Sequence, residues 1–381
     1  MGEKRVLIVG VSTRAFAESA RRAGRACVTV DAFGDLDQKA RVENVALLRD
    51  KGRAYSAAAA VAIGRRLDAG SAAYVANLEN HPAAVRRLAA GRQLLGNSPA
   101  VLVAARDWKQ LTRTVEEAGG RTPTTFAAGQ ARSLPAGRSW LRKLLRGGGG
   151  SGVAPLVPGA RLRSDEVAQE RIDGVLGSVS FAADGRRARL LGLSRGLAGD
   201  DSFGATGYRY SGSLFPFPVE PSLLERVEGL AQATTRAFGL VGVNGLDFIV
   251  RDGEAFVLEV NPRYSASMEL LERAGLLNVF ETHAAACGGA LTAASGKRVS
   301  AGVFGKAILW ARRDIVAGDT RRWLARDDVR DLPFPGERIR RGHPVCTVLA
   351  DGPDDATCYG RLVSAASSVE REIEAEPEVG S

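Results

Sequence analysis

Between Arg5 and Gly10 the chain reads RVLIVG, an apolar run with no polar alternation. That is the pattern of a short strand buried on both faces. The spacing then turns helical through RAFAESARRAG, with Ser12 or Thr13 placed to cap the start and Gly24 to mark the end. Short apolar runs return at CVTVD (27–31), AAYVAN (72–77) and RQLLGN (92–97), with helical stretches between them. Alternating strand and helix predict a parallel sheet with right-handed crossovers, ending near residue 100. A dinucleotide fingerprint with Asp31 on a ribose would need three glycines after the first strand. Only Gly10 stands there, so the first lobe reads as a scaffold.

From Asp107 the pattern changes. WKQLTRTVEEAGG reads as a helix closed by Gly119 and Gly120. SWLRKLL (139–145) is a strand candidate that runs straight into the glycines of LRKLLRGGGGSG. That composition suits a flexible tether, and equally a loop whose bare backbone closes over phosphates. A second strand-like run, SVSFAADGRR, is followed by an irregular glycine-rich segment, and PSLLERVEGLAQATTRAFG then reads as a helix.

Composition narrows the function classes. The chain has 381 residues, 45% hydrophobic and 25% charged, as in a soluble protein of two or three lobes. No apolar run approaches the roughly 20 residues of a membrane helix. The start, MGEKRVLIVGVS, reads as a first strand and not as a signal peptide. Cys27, Cys287, Cys346 and Cys358 have neither zinc nor disulfide spacing, and His81, His283 and His343 are scattered. Free thiols in a reducing cytoplasm are expected. The net charge of +9 favours anionic partners. It is spread along a chain with only 6% aromatic residues, which disfavours a nucleic-acid surface.

The densest chemistry lies in GLVGVNGLDFIVRDGEAFVLEVNPRYS (239–265). Two β-rich runs flank RDGE, so a hairpin is predicted. A two-residue Asp252–Gly253 turn would put Asp247 opposite Leu258 and away from Glu259. A three-residue loop, with Gly253 left-handed, would put Asp247 opposite Val257 and diagonal to Glu259. The second register is expected, because it gathers Asp247, Glu259 and Asn261 on one face. Phe248, Val250, Phe256, Leu258 and Val260 then share the other face. Two carboxylates and an amide oxygen suit Mg²⁺, with Arg263 just beyond on the turn after Pro262.

Taken in order, these segments resemble the ATP-grasp superfamily. The residues that carry the resemblance are Lys109 in RDWK, Lys143 entering the glycine loop, QERI (169–172), the Asp247 strand and EVNPR (259–263). The chain is most similar to the group described as predicted ATP-dependent carboligases, which DLPFPGERIRRGHPVCTVLADG also fits. Some members of that group are linked to methanopterin- and methylofuran-type cofactor synthesis.

The resemblance implies an α/β ATP-grasp fold with an N-terminal Rossmann-like (pre-ATP-grasp) parallel-sheet domain at 1–103. A small subdomain with the glycine lid would follow at 104–173, a large subdomain with the metal hairpin at 174–300, and a C-terminal extension packed on it at 301–381. It also implies that Lys109 and Lys143 contact ATP phosphates, with Gly147, Gly148, Gly149, Gly150 and Ser151 closing over them. Gln169, Glu170, Arg171, Ile172 and Asp173 would form the adenine-side hinge. Asp247, Glu259 and Asn261 would hold Mg²⁺, or Mn²⁺ in its place. Arg263, with Lys143, would act on the developing charge. Val175, Leu176 and Gly177 stand where a ribose-binding acid often sits, and Gly245 replaces an arginine that some ligases carry.

Arg195, Arg209 and Tyr210 are candidates for reading the acceptor. The implied activity joins a small-molecule carboxylate to an amine, such as the amino acid glutamate, through an acyl phosphate. A bicarbonate-using carboxylase and a non-catalytic nucleotide-binding regulator are the alternatives. A homodimer is one assembly to test.

Overall fold

The computed structural model describes residues 5–157, 159–291 and 301–373. The sequence also reads as a polar acidic tail after about Val369, and that segment falls largely outside them. Five parallel strands open the chain: β1 (Val6–Val9), β2 (Cys27–Asp31), β3 (Glu43–Ala46), β4 (Ser71–Tyr74) and β5 (Gln93–Leu95). Their order is β3-β2-β1-β4-β5. Leu7, Ile8 and Val9 are fully buried, as an unalternating run demands. Thr13 does precede the first helix (Arg14–Arg22), but its hydroxyl makes no cap and donates to Asp31 at 2.6 Å.

Four short strands build a small antiparallel sheet: β6 (Thr125–Ala127), β7 (Trp140–Leu144), β8 (Val153–Pro155) and β9 (Glu166–Glu170), in the order β6-β9-β7-β8. The large sheet begins with β10 (Val175–Asp184), β11 (Ala188–Ala198), β12 (Tyr210–Phe215), β13 (Val241–Arg251) and β14 (Glu254–Asn261). It continues with β15 (Val303–Trp310). A separate two-stranded ribbon pairs β16 (Ile315–Val316) with β18 (Arg338–Ile339). β17 (Val329–Arg330) and β19 (Pro344–Gly352) complete the large sheet, whose order is β14-β13-β10-β11-β12-β15-β19-β17. The segment after residue 300 therefore extends the sheet edge to edge, and its helix Asp355–Glu372 packs on that part of the sheet through Cys358, Leu362 and Ala366. Among the described residues no helix is long and apolar enough to cross a membrane.

One face of the large sheet packs on helix Pro221–Phe238 through Val227, Leu230, Phe181, Leu246 and Phe248. The other face receives the N-terminal domain. Phe16 stacks on Tyr264 with ring centroids 4.7 Å apart and meets Phe280 and His283. His283 ties the two parts together. Its Nδ1 accepts the Val243 N–H at 2.9 Å, so the proton sits on Nε2, 3.1 Å from the Leu95 carbonyl. Gly242 leaves room for the ring, because a Cβ there would lie 2.6 Å from His283 Cε1.

Protonating Nδ1 would set one N–H against another in a dry core, and burial pushes His283 down to about 4. A depressed histidine gives stability that is present above its unfolded value and lost as pH falls toward the folded one. Unfolding free energy should therefore drop by about 3 kcal/mol between roughly pH 6.5 and pH 4 from this residue. Urea unfolding across that range reads the slope, and a flat profile would be inconsistent with a neutral, buried His283.

Candidate active site

The hairpin differs from expectation in an instructive way. Arg251 pairs with Glu254, so the turn has two residues, and Asp252 (φ 52°) and Gly253 (φ 75°) both lie in the left-handed region. That is the primed turn a two-residue hairpin favours. Unbroken, this register would put Asp247 opposite Leu258. Instead a bulge follows: Phe248 faces Val257, Asp247 faces Glu259, and Leu258 is the extra residue. The acids thus come directly opposite each other by a bulge and not by a longer loop. Phe256 and Leu258 also leave the core face. Phe256 lies under Arg251, 4.6 Å from its guanidinium carbon, and Leu258 lines a cleft beside Glu259.

Asp247 accepts from Ser178 Oγ at 2.6 Å and from Asn261 Nδ2 at 2.7 Å. Asn261 Oδ1 accepts from Arg263 at 3.1 Å. Across the cleft, Glu259 Oε2 lies 3.3 Å from Arg106 and 3.7 Å from Lys143 Nζ. Burial and the facing Glu259 push Asp247 up to about 6. Burial would raise Glu259 too, but Lys143, Arg106 and Arg263 overcome it and hold Glu259 below the usual carboxylate range. Two carboxylates set opposite each other, with Glu259 on the cleft, fit a hard divalent cation, which would relieve their repulsion. Among the described residues no cluster of three or more His, Cys, Asp or Glu is placed to hold a metal. A cation here would take two acids, the amide oxygen and oxygens from its own ligand.

Lys143 reaches the cleft because β7 alternates. Its neighbour Arg142 points the other way and grips Glu166 with contacts of 3.0 and 2.9 Å. The glycines that follow form a tight turn, with positive φ at Gly149, Gly150 and Gly152. The turn lies on the segment before β12. Gly149 O accepts from the Tyr210 N–H at 3.0 Å, and a Cβ on Gly150 would sit 1.7 Å from Tyr208 O. Only glycine permits that approach. Gly147, Gly148 and Ser151 complete the turn through Gly147 N–H to Leu144 O and Ser151 N–H to Gly148 O. In the segment 169–173, Gln169 lines the cleft and Ile172 is buried. Glu170 accepts from Arg138 at 2.9 Å, and Arg171 pairs with Asp173 at 2.8 Å on the surface.

Three candidates lie elsewhere. Lys109 is exposed on the first turn of helix Trp108–Glu117, held there by the Asp107 cap, and it is Trp108 that lines the cleft. Arg195 pairs with Asp355 at 3.3 Å, and Arg209 lies on the Trp310 ring and donates to Gly342 O at 3.0 Å. Both arginines fasten the glycine-rich segment to the C-terminal part. Tyr210 stays close: burial chiefly, and the charges of Asp247 and Glu269, keep its phenol neutral, with its hydroxyl 2.8 Å from Ser213 Oγ.

Two further residues were not singled out from the sequence. Arg106 also donates to Leu145 O and Gly147 O at 3.3 and 3.4 Å, bridging Glu259 to the root of the glycine turn. Glu79, after β4, stands 2.8 Å from Arg263 Nε. In a chain so rich in arginine, Arg106 carried no distinguishing signal beyond its place just before the helix cap.

A family model described as an ATP-grasp domain matches residues 105–267. An uncharacterised protein of Methanocaldococcus jannaschii is 27% identical over 142 residues, 37% of this chain and 33% of that one. The chain spans a third or less of the curated relatives it matches. The fold is similar to that of N5-carboxyaminoimidazole ribonucleotide synthetase from Thermus thermophilus, with a TM-score of 0.66 at 16% identity over 98% of this chain and 99% of that one. It is also similar to that of L-amino acid ligase from Bacillus licheniformis, with a TM-score of 0.65 at 14% identity over 99% of this chain and all of the other. The acid hairpin, the glycine turn and the 169–173 segment all fall inside the one matched segment, and residues 105–267 are similar to an ATP-grasp domain.

Proposed function

We propose that this chain is an ATP-dependent carboxylate–amine ligase working through an acyl phosphate. The observation that carries the reading is the Asp247–Glu259 pair on the acid hairpin, with Glu259 facing Lys143 across one cleft and Arg263 tied to Asn261. A substrate carboxylate oxygen attacks the γ-phosphorus of ATP, the bond to the β-phosphate oxygen breaks, and ADP leaves. The lone pair of an amine then attacks the acyl carbon, the carbon–oxygen bond to phosphate breaks, and the nitrogen loses a proton. Mg²⁺ held by Asp247, Glu259 and Asn261 would supply charge neutralisation at the phosphates.

The chain's own share is positioning. Lys143 and Arg106 offer cations to the phosphates, the glycine turn excludes water, and Arg263 faces the negative charge that grows at the acyl centre. An amino acid such as glutamate is the amine we favour, with a one-carbon cofactor precursor as one carboxylate to try. The likeness to a synthetase of a carboxyamino product keeps bicarbonate as a second carboxyl source.

ADP release with Mg-ATP, measured against a matrix of carboxylates and amino acids, tests the reading. Release that requires one carboxylate and one amine together is expected. Release with bicarbonate alone would make the protein a carboxylase. No release with any pair would make it a nucleotide binder without catalysis.

A further inference from the structure

Beside the small antiparallel sheet lies a second cavity, of about 570 Å³, that shares no lining residue with the cleft at Glu259. Its size is that of a small-molecule site. The apolar lining comes from Leu134, Pro135, Trp140, Leu141, Leu156 and Val157. Trp140 is buried and fixed by its indole N–H, which donates to Pro135 O at 3.2 Å. Val157 is 67% exposed, a large apolar side chain left facing water. The charged residues on the lining are Arg138 and Arg171, and no acid lines it among the described residues.

The polar groups around the cavity are unevenly used. Backbone acceptors are taken: Pro135 O by Trp140, Ser139 O by the Arg171 N–H at 2.8 Å, and Trp140 O by the Leu156 N–H at 2.8 Å. Arg138 donates to Thr124 Oγ1 and Glu170, and Arg171 pairs with Asp173, which is 78% exposed. A guanidinium carries more N–H donors than these contacts use. The Arg171–Asp173 pair lies in water, is worth little, and exchanges readily for another anion. The lining therefore offers donors and apolar surface together. A cation would meet two arginines, a neutral apolar molecule would leave both unused, and an inorganic anion would leave the apolar wall wet. An organic anion with a flat apolar body satisfies both halves.

Tyr208 gives the cavity a route to the glycine turn. It lines the cavity, and its carbonyl is the atom that a Cβ on Gly150 would strike. Two residues on, the Tyr210 N–H donates to Gly149 O. We propose that this cavity is a second ligand site, for an organic anion with a flat apolar body, and that its occupant braces the glycine turn through Tyr208. The proposal goes beyond the ligase reading and stands without it, because neither the cavity nor its test depends on turnover.

The test titrates the full chain by calorimetry with three probes of one shape: naphthoate, naphthalenemethanol and naphthylmethylammonium. Naphthoate should bind about tenfold or more tightly than the neutral probe, the gain of one charged hydrogen bond, and the cation should bind most weakly. Val157→Asp and Arg171→Ala both change exposed positions, so the fold should stand. Each should weaken naphthoate about tenfold. Saturating Mg-ADP should not displace it. Hydrogen exchange across residues 147–152 should slow when naphthoate is added to the wild-type chain, and stay unchanged in Val157→Asp. Equal binding of the three probes, an unmoved constant in both variants, or displacement by Mg-ADP would overturn the site. Saturable naphthoate binding with no change in exchange would overturn the brace.

Discussion

Glu259→Gln is expected to lower ATP turnover on the order of 10²–10³-fold while leaving the fold in place. Glutamine keeps the shape but loses the charge and half the acceptor capacity. Glu259 is the acid that stays ionised, because Lys143 and Arg106 face it, whereas Asp247 is pushed up by burial and by Glu259 itself. Removing it therefore takes away the stronger of the two anionic donors and leaves two cations facing a neutral amide. Both cations keep some contact with solvent, so the fold should tolerate the change. ADP release and thermal melting, measured on the same preparation, check the two halves. Near-native turnover would remove Glu259 from the machinery, and a collapsed melt would make its role structural.

Arg14→Ala should cost the most stability, about 3–5 kcal/mol. Its guanidinium is 1% exposed and lies 2.5 Å from Glu269 and 2.8 Å from Asp331, with Glu18 and Asp37 also within 4 Å. These carboxylates come from the N-terminal helix region, the segment after the acid hairpin, and the C-terminal part of the large sheet. Without Arg14, Lys306 remains against Glu269 at 2.5 Å, and Asp331 keeps only the Thr347 hydroxyl and backbone or distant groups. Burial opposes ionisation of both acids, but Arg14 and Lys306 hold Glu269 well below the usual range, and Arg14 does the same for Asp331.

Acids depressed in this way give stability above their unfolded values of roughly 4, and lose it as pH falls further. In Arg14→Ala the sign reverses, because an uncompensated buried carboxylate is relieved by a proton. The gap between wild type and variant should therefore be widest near neutrality and narrow toward about pH 4. Urea unfolding at several pH values measures it. A gap under about 1 kcal/mol near neutrality would show that the network contributes little.

The fold and its site were unevenly legible in the sequence. Unalternating runs such as VLIV, and the β–turn–β pattern around RDGE, follow directly from burial and turn chemistry, and they led to the parallel sheet and the acid hairpin. The bulge at Leu258 did not show, because a bulge needs only one unpaired residue and no particular side chain. The grouping of Asp247 with Glu259 was reached from chemistry while the loop length was misjudged. Lys109 belongs to the RDWK motif that carries the resemblance. Yet the Asp107 cap fixes where the helix begins, and that turns Lys109 outward and Arg106 inward. Arg209 and Glu79 depend on contacts 133 and 184 positions away, with Gly342 and Arg263, and no local pattern foretells these.

The sheet order carries a practical consequence for dissecting the protein. β12 is flanked on one side by β11 and on the other by β15, which lies past residue 300. A shortened version trimmed to the ATP-grasp segment and its immediate surroundings would expose β12 as a bare edge, with the apolar Leu214 and Phe215 on it. Unprotected edges of that kind recruit strands from other molecules. Such a fragment should precipitate or pair with itself, so the matched segment is not a detachable module, and its solubility depends on a strand supplied from outside it.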